Sequence, residues 1–147
     1  MVFQESANMN NTSKMKGQSG FTLIEIMVVV AILSILLAVA LPSYRDYVLQ
    51  GRLVDAHSGL SSGRLRAEQF YQDNRDYTGM PCPANTSNFT FACTGQTNAA
   101  FLITATGIGP ASGFVLTINQ DNTRATTGAP SGWATSNNCW IVSKSGC

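Results

Sequence analysis

Four cysteines are the residues of this chain whose type and spacing most clearly predict chemistry. Cys82, Cys93, Cys139 and Cys147 all lie in the C-terminal half of the sequence. An even number of cysteines there is typical of a disulfide framework formed in an oxidising compartment. Zinc binding is the competing interpretation, but the C-x-x-C spacing is missing and the single histidine, His57, is far away on a predicted helix. We therefore expect disulfides and no metal site.

The disulfides are predicted to be local. Cys82–Cys93 and Cys139–Cys147 are 11 and 8 residues apart, and the chain within each pair is rich in turn residues. Loops of this size stabilise a fold by about 2–3 kcal/mol each in the chain-entropy description. The two other pairings of four cysteines stay open at this point.

No other arrangement of reactive residues predicts an enzyme. His57 has no nucleophile or carboxylate at a fixed spacing, so we expect it to be packed or solvated. Asp73 and Asp76 lie among turn residues at the expected end of a helix, where a capping or loop role suits them. The sequence contains no phosphate-binding loop, dinucleotide motif, metal-binding helix or nucleophile elbow. We expect no catalytic residues and no cofactor.

The first structural element along the chain is an apolar segment from Phe21 to Leu41. It is long enough to cross a bilayer as a helix, which needs about 20 residues. Lys14 and Lys16 precede it and the next cation is Arg45, which predicts a cytoplasmic N-terminus and an outward C-terminus. A secretory signal peptide is the alternative, but the segment is long and no A-x-A cleavage site follows. The outward side is also where disulfides form.

Glu25 is a carboxylate inside this apolar segment. Such a group costs about 2.5–3.5 kcal/mol at the centre of a membrane helix and less near its end. Cleavage between Gly20 and Phe21 would create an α-amino group on Phe21 that could neutralise Glu25 of a neighbouring subunit and so set a register. The alternative is a carboxylate that reaches back to the lipid headgroups.

The N-terminal motif resembles the prepilin N-terminus of type IV pilins. The residues that carry the resemblance are GFTLIE from Gly20 to Glu25, the apolar segment after them, and Pro42-Ser43-Tyr44. The resemblance implies a leader that a dedicated prepilin peptidase removes after Gly20, followed by methylation of the Phe21 amine. It implies that Glu25 guides docking into a filament and that Pro42 is the helix-kinking proline of the family. The leader is long for that family, so Met9 and Met15 are alternative starts.

A weaker resemblance lies near the C-terminus. The segment TINQD at 117–121 and Asn138-Cys139-Trp140 are similar to the corresponding stretches of PilE-type minor pilins. Ser112 stands where that group commonly has a cysteine, so the disulfide pairing of the family cannot simply be transferred.

The helix is expected to continue to about residue 74 as an amphipathic helix. Its apolar residues recur every three or four positions. They are Leu49, Leu53, Ala56, Leu60, Gly63, Ala67 and Phe70. The arginines and acidic residues of this part are expected largely off the stripe, and Gly59 and Gly63 would allow close approach of another element. The whole helix would measure roughly 80 Å, so lipid or other subunits must cover its first half.

Beyond the helix, alternating apolar residues predict an antiparallel sheet. Three strands are expected at 88–94, 100–106 and 113–119, with a short fourth at 123–127. The fold class is therefore α+β: a long N-terminal helix, transmembrane first and amphipathic second, packed on a disulfide-stapled sheet of three to four strands. The expected domains are a leader at 1–20, the helix at 21–74 with the membrane span or filament core at 21–41, and the sheet domain at 75–147.

Together with the absence of a catalytic motif, the resemblance to type IV pilins implies a non-enzymatic, minor subunit of a type IV pilus. Its expected partners are prepilin peptidase, other major and minor pilins, the assembly platform and the inner membrane before assembly; the extracellular pilus is its final location. Adhesion, twitching motility and DNA uptake are the downstream roles. A pseudopilin of type II secretion shares the same N-terminus and is the first alternative.

A DNA receptor pilin is the second alternative, with Arg64 and Arg66 as candidate phosphate contacts. Interleaved acidic residues such as Glu68 favour a solvated helix face instead, and the chain without its leader has no net charge. Trp133 and Trp140 are candidates for partner contact or for core packing.

Overall fold

The computed structural model describes residues 20–147, in two compact units that are considered separately. The first unit ends at Leu37 and the second comprises Ala38–Cys147. The predicted leader lies outside the described residues, apart from Gly20.

Helix α1 runs from Leu23 to Asn74, so it begins two residues after the predicted start and ends as predicted. Within the first unit, each residue from Gly20 to Leu37 is exposed, although most are apolar. Among the described residues α1 is the one helix whose length and composition suit a membrane span, with a mean hydropathy of 2.9 in its most apolar window and none of that window buried. This agrees with the apolar segment seen in the sequence.

In the second unit, α1 buries one stripe against a sheet. The buried positions of the stripe are those expected from the sequence, and Leu49 and Phe70 are partly buried at its ends. The fully covered members are Leu53, Ala56, Leu60, Gly63 and Ala67. Because the stripe is narrow and includes small residues, the sheet can lie close to the helix backbone.

The sheet has four antiparallel strands in the order β1-β2-β3-β4. Their bounds are β1 Phe89–Thr94, β2 Leu102–Gly107, β3 Val115–Asn119 and β4 Arg124–Gly128. A single 3-10 turn, Gly109–Ala111, connects β2 to β3. Ile103 pairs with Ile118 across the centre of the sheet, and both are completely buried, as the alternation predicted.

Two glycines of α1 lie where residues of the sheet domain approach the helix backbone most closely. A Cβ on Gly59 would overlap the ring of Phe91, and one on Gly63 would lie 2.5 Å from Cγ of Pro83. Each glycine costs about 1 kcal/mol of helix propensity relative to alanine. The close approach predicted from the sequence is the structural reason that these positions lack a side chain.

Both edges of the sheet are occupied. On the β1 side, the backbone N–H of Phe91 donates to Oδ1 of Asn85 at 2.8 Å. On the β4 side, Thr126 and Ser136 exchange two backbone hydrogen bonds of 2.7 and 3.1 Å. Loop segments therefore take the place of further strands at both sides of the sheet.

Thr126 joins the C-terminal segment to the core. Its side chain is completely buried, and Oγ1 donates to the carbonyl of Cys139 at 3.2 Å while it accepts from the N–H of Ile141 at 3.1 Å. A valine of the same shape would leave both backbone groups without this partner. The hydroxyl of Thr126 thus links β4 to the C-terminal segment by two hydrogen bonds.

Candidate functional site

The N-terminus of α1 is closed by a reciprocal capping arrangement. The backbone N–H of Glu25 donates to Oγ1 of Thr22 at 3.2 Å, and the backbone N–H of Thr22 donates to Oε2 of Glu25 at 3.4 Å. This is the capping box of a Ser/Thr followed three residues later by Glu. Sequence reasoning missed it, although the Thr-x-x-Glu spacing before an apolar segment is its ordinary signal.

Gly20 and Phe21 precede the helix and are exposed, with Phe21 at 79%. The predicted cleavage and methylation site therefore lies on chain that is not part of α1. The carboxylate of Glu25 is also exposed, so the capping bond leaves it open to a second partner. Its predicted role in docking stays a prediction.

Pro42 lies inside α1, which continues on both sides of it. A proline has no N–H to donate to the carbonyl of Ala38, four residues earlier. The next hydroxyl, Oγ of Ser43, donates to the carbonyl of Val39 at 3.4 Å.

Disulfides join Cys82 to Cys93 and Cys139 to Cys147, with Cα atoms 5.8 and 6.2 Å apart. These are the two sequential pairs that the sequence favoured. The first pair attaches the loop after α1 to β1, and the second closes a loop at the C-terminus. A salt bridge of 2.8 Å from Lys144 to Asp46 fixes that loop to α1.

The two arginines predicted as DNA contacts have different surroundings. Arg64 is half-buried, lies 3.6 Å from Glu68 and donates to the carbonyl of Gln120 at 3.3 Å. Arg66 is exposed. Residues two apart on a helix point to different faces, so the structure does not bring this pair together on one surface.

A groove that sequence reasoning missed lies where α1 passes the turn between β2 and β3. Its volume is about 300 Å³, and we call it the arginine groove. It is lined by Tyr44, Arg45, Val48, Leu49, Arg52 and Pro110. Neither arginine belongs to the buried stripe, and both line the groove together with Leu49, a residue at the end of that stripe. Their seven-residue separation was the available signal, since it returns a side chain to nearly the same helix face.

His57, the single histidine, packs against the C-terminal segment. Its ring stacks on Trp140 with centroids 5.5 Å apart, and the guanidinium of Arg124 lies 4.7 Å from the centre of the same indole. Burial lowers the pKa of His57, and the charge of Arg124 acts in the same direction. These contacts make His57 a packed residue, one of the two roles expected for it.

Both tryptophans contribute to packing. Trp140 is 7% exposed and its Nε1 donates to the carbonyl of Thr117 at 2.7 Å. Trp133 is half-buried and meets Phe114 edge-on, with ring centroids 5.0 Å apart. Of the two roles considered for the tryptophans, these contacts favour core packing.

The acidic residues after α1 form local turns. Oδ1 of Asp76 accepts from the N–H of Thr78 at 2.7 Å, and hydrogen bonds from Thr78 lower the pKa of this carboxyl. Asp73 is exposed in the last turn of α1. Within residues 20–147, no three His, Cys, Asp or Glu side chains lie together as a metal site would require.

Family models match most of the described chain. One, described as "Type IV minor pilin ComP, DNA uptake sequence receptor", matches residues 42–127, which is more than half of the sequence. Another, described as a prokaryotic N-terminal methylation motif, matches residues 15–41. The two matches adjoin at Pro42.

Proteins with similar sequences include fimbrial proteins of other bacteria. A fimbrial protein of Pseudomonas aeruginosa is 40% identical over 72 residues, which cover 49% of this chain and 47% of the relative. Fimbrial protein Q of Moraxella bovis is 31% identical over 96 residues, covering 65% of this chain and 61% of the relative. The chain spans about half the length of the first of these curated relatives.

A solved structure supports the fold. The non-core minor pilin PilV of Neisseria meningitidis aligns with a TM-score of 0.53 at 16% identity, covering 58% of this chain and 92% of that one. At this identity the similarity concerns the fold alone. The long apolar helix, the four-stranded sheet and the two family matches lead to one assignment: this chain belongs to the type IV pilin family, in the group of ComP minor pilins.

Proposed function

We propose that this chain is a minor subunit of a type IV pilus, anchored in the inner membrane by the first part of α1 and later packed among other pilins through that same helix. The observation that carries the proposal is the exposure of an apolar helix: Leu23 is 77% exposed and Ile35 is 69% exposed. An apolar surface of this extent needs lipid or other subunits to cover it.

Processing of the N-terminus is part of the proposal. Prepilin peptidase cuts between Gly20 and Phe21 and methylates the new amine; the methylation motif matched at residues 15–41 supports this step. The N-terminus faces the cytoplasm before assembly, and the assembly platform then moves the chain into the extracellular pilus. Adhesion, twitching motility and DNA uptake are the roles that such a filament would serve.

Glu25 has two separable tasks in this proposal. Its carboxylate caps α1 within its own chain, and its charge pairs with the Phe21 amine of a neighbour during docking. Glu25→Gln keeps an oxygen acceptor for the cap but removes the charge. Thr22→Ala keeps the charge but removes the threonine half of the capping box, which costs about 1 kcal/mol of helix stability.

Incorporation of these variants into pili tests the proposal. Sheared pili and membranes are compared by immunoblot, and the mature N-terminus is read by mass spectrometry. We expect Glu25→Gln and Glu25→Ala to remain in the membrane, whereas Thr22→Ala enters pili. Normal incorporation of Glu25→Gln would contradict the charge role, and a mature N-terminus other than Phe21 would contradict the processing step.

DNA reception is a second candidate function, because the description of the family model that matches residues 42–127 names a DNA uptake sequence receptor. The segment 77–120 contains no charged residue, so any arginine or lysine contacts to phosphate come from α1, from Arg75 directly after it or from the part after β3. Arg66 is exposed and has no carboxylate within 4.0 Å among residues 20–147. Arg64 is engaged by Glu68, which favours Arg66 as the phosphate contact of the pair.

A salt series distinguishes this function from the pilus role. The full chain in detergent is titrated with a labelled DNA duplex, alone and as Arg66→Gln, Arg64→Gln and the double variant. Loss of one phosphate contact reduces the slope of log affinity against log salt by about 0.9. We expect that change for Arg66→Gln and little for Arg64→Gln; an unchanged slope in the double variant would exclude both arginines.

A further inference from the structure

The C-terminal loop, residues 139–147, is closed by a disulfide and is held on α1 at two places. Lys144 forms a salt bridge of 2.8 Å with Asp46, and the ring of Trp140 stacks on His57 with centroids 5.5 Å apart. The two contacts lie about three turns apart on the helix, roughly 16 Å along its axis. Of the two, the contact at His57 contains a group that can titrate near neutral pH.

Trp140 and the residue after it are also bonded to the sheet. Nε1 of Trp140 donates to the carbonyl of Thr117 at 2.7 Å, and the backbone N–H of Ile141 donates to Oγ1 of Thr126 at 3.1 Å. Trp140 is almost entirely buried and Ile141 is completely buried. These two N–H groups therefore exchange with solvent when the loop opens, and their exchange reports the opening.

The ring of His57 has no place for a second proton while the loop is closed. Its Nε2 is buried and has no hydrogen-bond partner within residues 20–147. An imidazolium donates from both nitrogens, so Nε2 would become a buried donor without an acceptor. The protonated ring would also share the indole of Trp140 with the guanidinium of Arg124, which lies 4.7 Å from the indole centre.

Arg124 of β4 is the charged residue that shifts the pKa of His57. The residues of α1 one turn before and after His57 carry no charge. On the same face of the helix the nearest charged residues are Asp46 and Arg64, eleven and seven positions away. Both are engaged in salt bridges, as is Lys144 of the loop. No neighbouring carboxylate of this set is therefore left to stabilise a charged His57.

We propose that the stack of His57 on Trp140 is an acid-sensitive contact, which holds the C-terminal loop against α1 at neutral pH and lets it open when His57 is protonated. The open form gives the imidazolium water as a hydrogen-bond partner and separates it from Arg124. The inference concerns a contact within one chain, so it stands apart from the proposed pilus function.

The direction and size of the effect follow from linkage. Burial lowers the pKa of His57 in the closed form; the backbone of Ile141 opposes this shift and the charge of Arg124 adds to it. In the open form the ring meets water, and its pKa returns to the ordinary value of 6.5. Above pH 6.5 the closed form keeps its full advantage. Below it the open form gains up to about tenfold per pH unit, until the closed-form pKa is reached.

Hydrogen exchange of the full chain in detergent, followed by NMR at pH 7.0 and 5.0, tests the proposal. Each rate is divided by the rate of an unstructured peptide at the same pH, which removes the chemical pH dependence of exchange. We expect the protection of the Trp140 indole N–H and of the Ile141 amide to fall about tenfold between the two pH values.

Sub-denaturing urea separates opening of the loop from unfolding of the whole unit. Opening of the loop exposes little surface, so the protection at Trp140 and Ile141 should depend weakly on urea. The amides of β2 and β3 should be better protected and should depend strongly on urea. Equal protection and equal urea dependence in both sets would overturn the proposal, because the loop would then open only with the whole unit.

Three variants separate the role of the proton from that of packing. His57→Phe keeps a ring for the stack but cannot be protonated, so the protection at Trp140 should be the same at both pH values. Arg124→Gln removes the competing cation and should make the pH dependence smaller. Lys144→Gln is the matched control: it removes the other contact with α1 and should lower protection by the same factor at pH 7.0 and 5.0.

A tenfold fall that persists in His57→Phe would refute the role of the proton, as would equal protection of the wild type at both pH values. If His57→Phe does not fold, Arg124→Gln decides, and an unchanged pH dependence in that variant counts against the proposal. None of these measurements involves a filament, so their failure leaves the pilus function untouched.

Discussion

Alanine substitution of three glycines on one helix tests the packing of α1 with opposite expected signs. Gly51 is exposed, and a Cβ there would meet no atom within 4 Å. Gly51→Ala should therefore gain the helix-propensity term of about 0.8–1.0 kcal/mol. At Gly59 the same gain is opposed by overlap with the ring of Phe91.

The size of that overlap can be bounded. Phe91 is 9% exposed on β1, next to the disulfide-bonded Cys93, so its ring has little room to move away. Overpacking of one methyl group in a core costs about 1–3 kcal/mol. Gly59→Ala should therefore be neutral to about 2 kcal/mol less stable than wild type, whereas Gly51→Ala is about 1 kcal/mol more stable. Gly63→Ala, against Pro83, should resemble Gly59→Ala.

Urea unfolding of the full chain in detergent, followed by tryptophan fluorescence, measures these differences. A double variant adds the decisive control: Phe91→Leu removes the ring edge, so Gly59→Ala should cost less in that background than alone. Equal stabilisation by Gly51→Ala and Gly59→Ala would refute the close approach of the Phe91 ring to α1.

Three further predictions concern the second unit. Thr126→Val should lower the free energy of unfolding by about 2–4 kcal/mol, because it leaves two backbone groups without their partner; a shifted urea midpoint at constant slope would show it. The pKa of His57 is lowered in the folded chain. Neutral His57 therefore gives its full contribution to the free energy of unfolding above about pH 6.5, and this contribution should decline as the pH falls from there toward the folded-state pKa. Melting temperatures at pH 7.5 and 5.0 should therefore differ more in wild type than in His57→Phe; an equal difference in both would contradict the assignment. Peptide mapping without reductant should recover Cys82–Cys93 and Cys139–Cys147 as the linked pairs, and any crossed pair would contradict them.

Periodicity predicted the parts of the fold that depend on local pattern. The three- and four-residue recurrence from Leu49 to Phe70 identified the buried stripe of α1, and alternation identified the inward residues of β1, β2 and β3. The strand bounds moved by two residues at most, because the ends of strands depend on turns such as Gly109–Ala111 more than on side-chain pattern.

Contacts between elements distant in the sequence could not be predicted in this way. The groove that Arg45 and Arg52 line also includes Pro110, which lies far from both arginines in the sequence. The stack of His57 on Trp140 joins residues 83 positions apart, and no local pattern encodes it. The capping box is the exception, since Thr22 and Glu25 are only three positions apart and their spacing is a local signal.

The occupied edges of the sheet have a consequence for how copies of this chain can associate. With Asn85 bonded to β1 and Ser136 bonded to β4, an incoming strand finds few free donors and acceptors at either side. Crowded copies are thereby protected from joining sheet to sheet, the route that leads to cross-β aggregates. Assembly through α1, as in the proposed filament, therefore does not compete with pairing between the sheets of neighbouring copies.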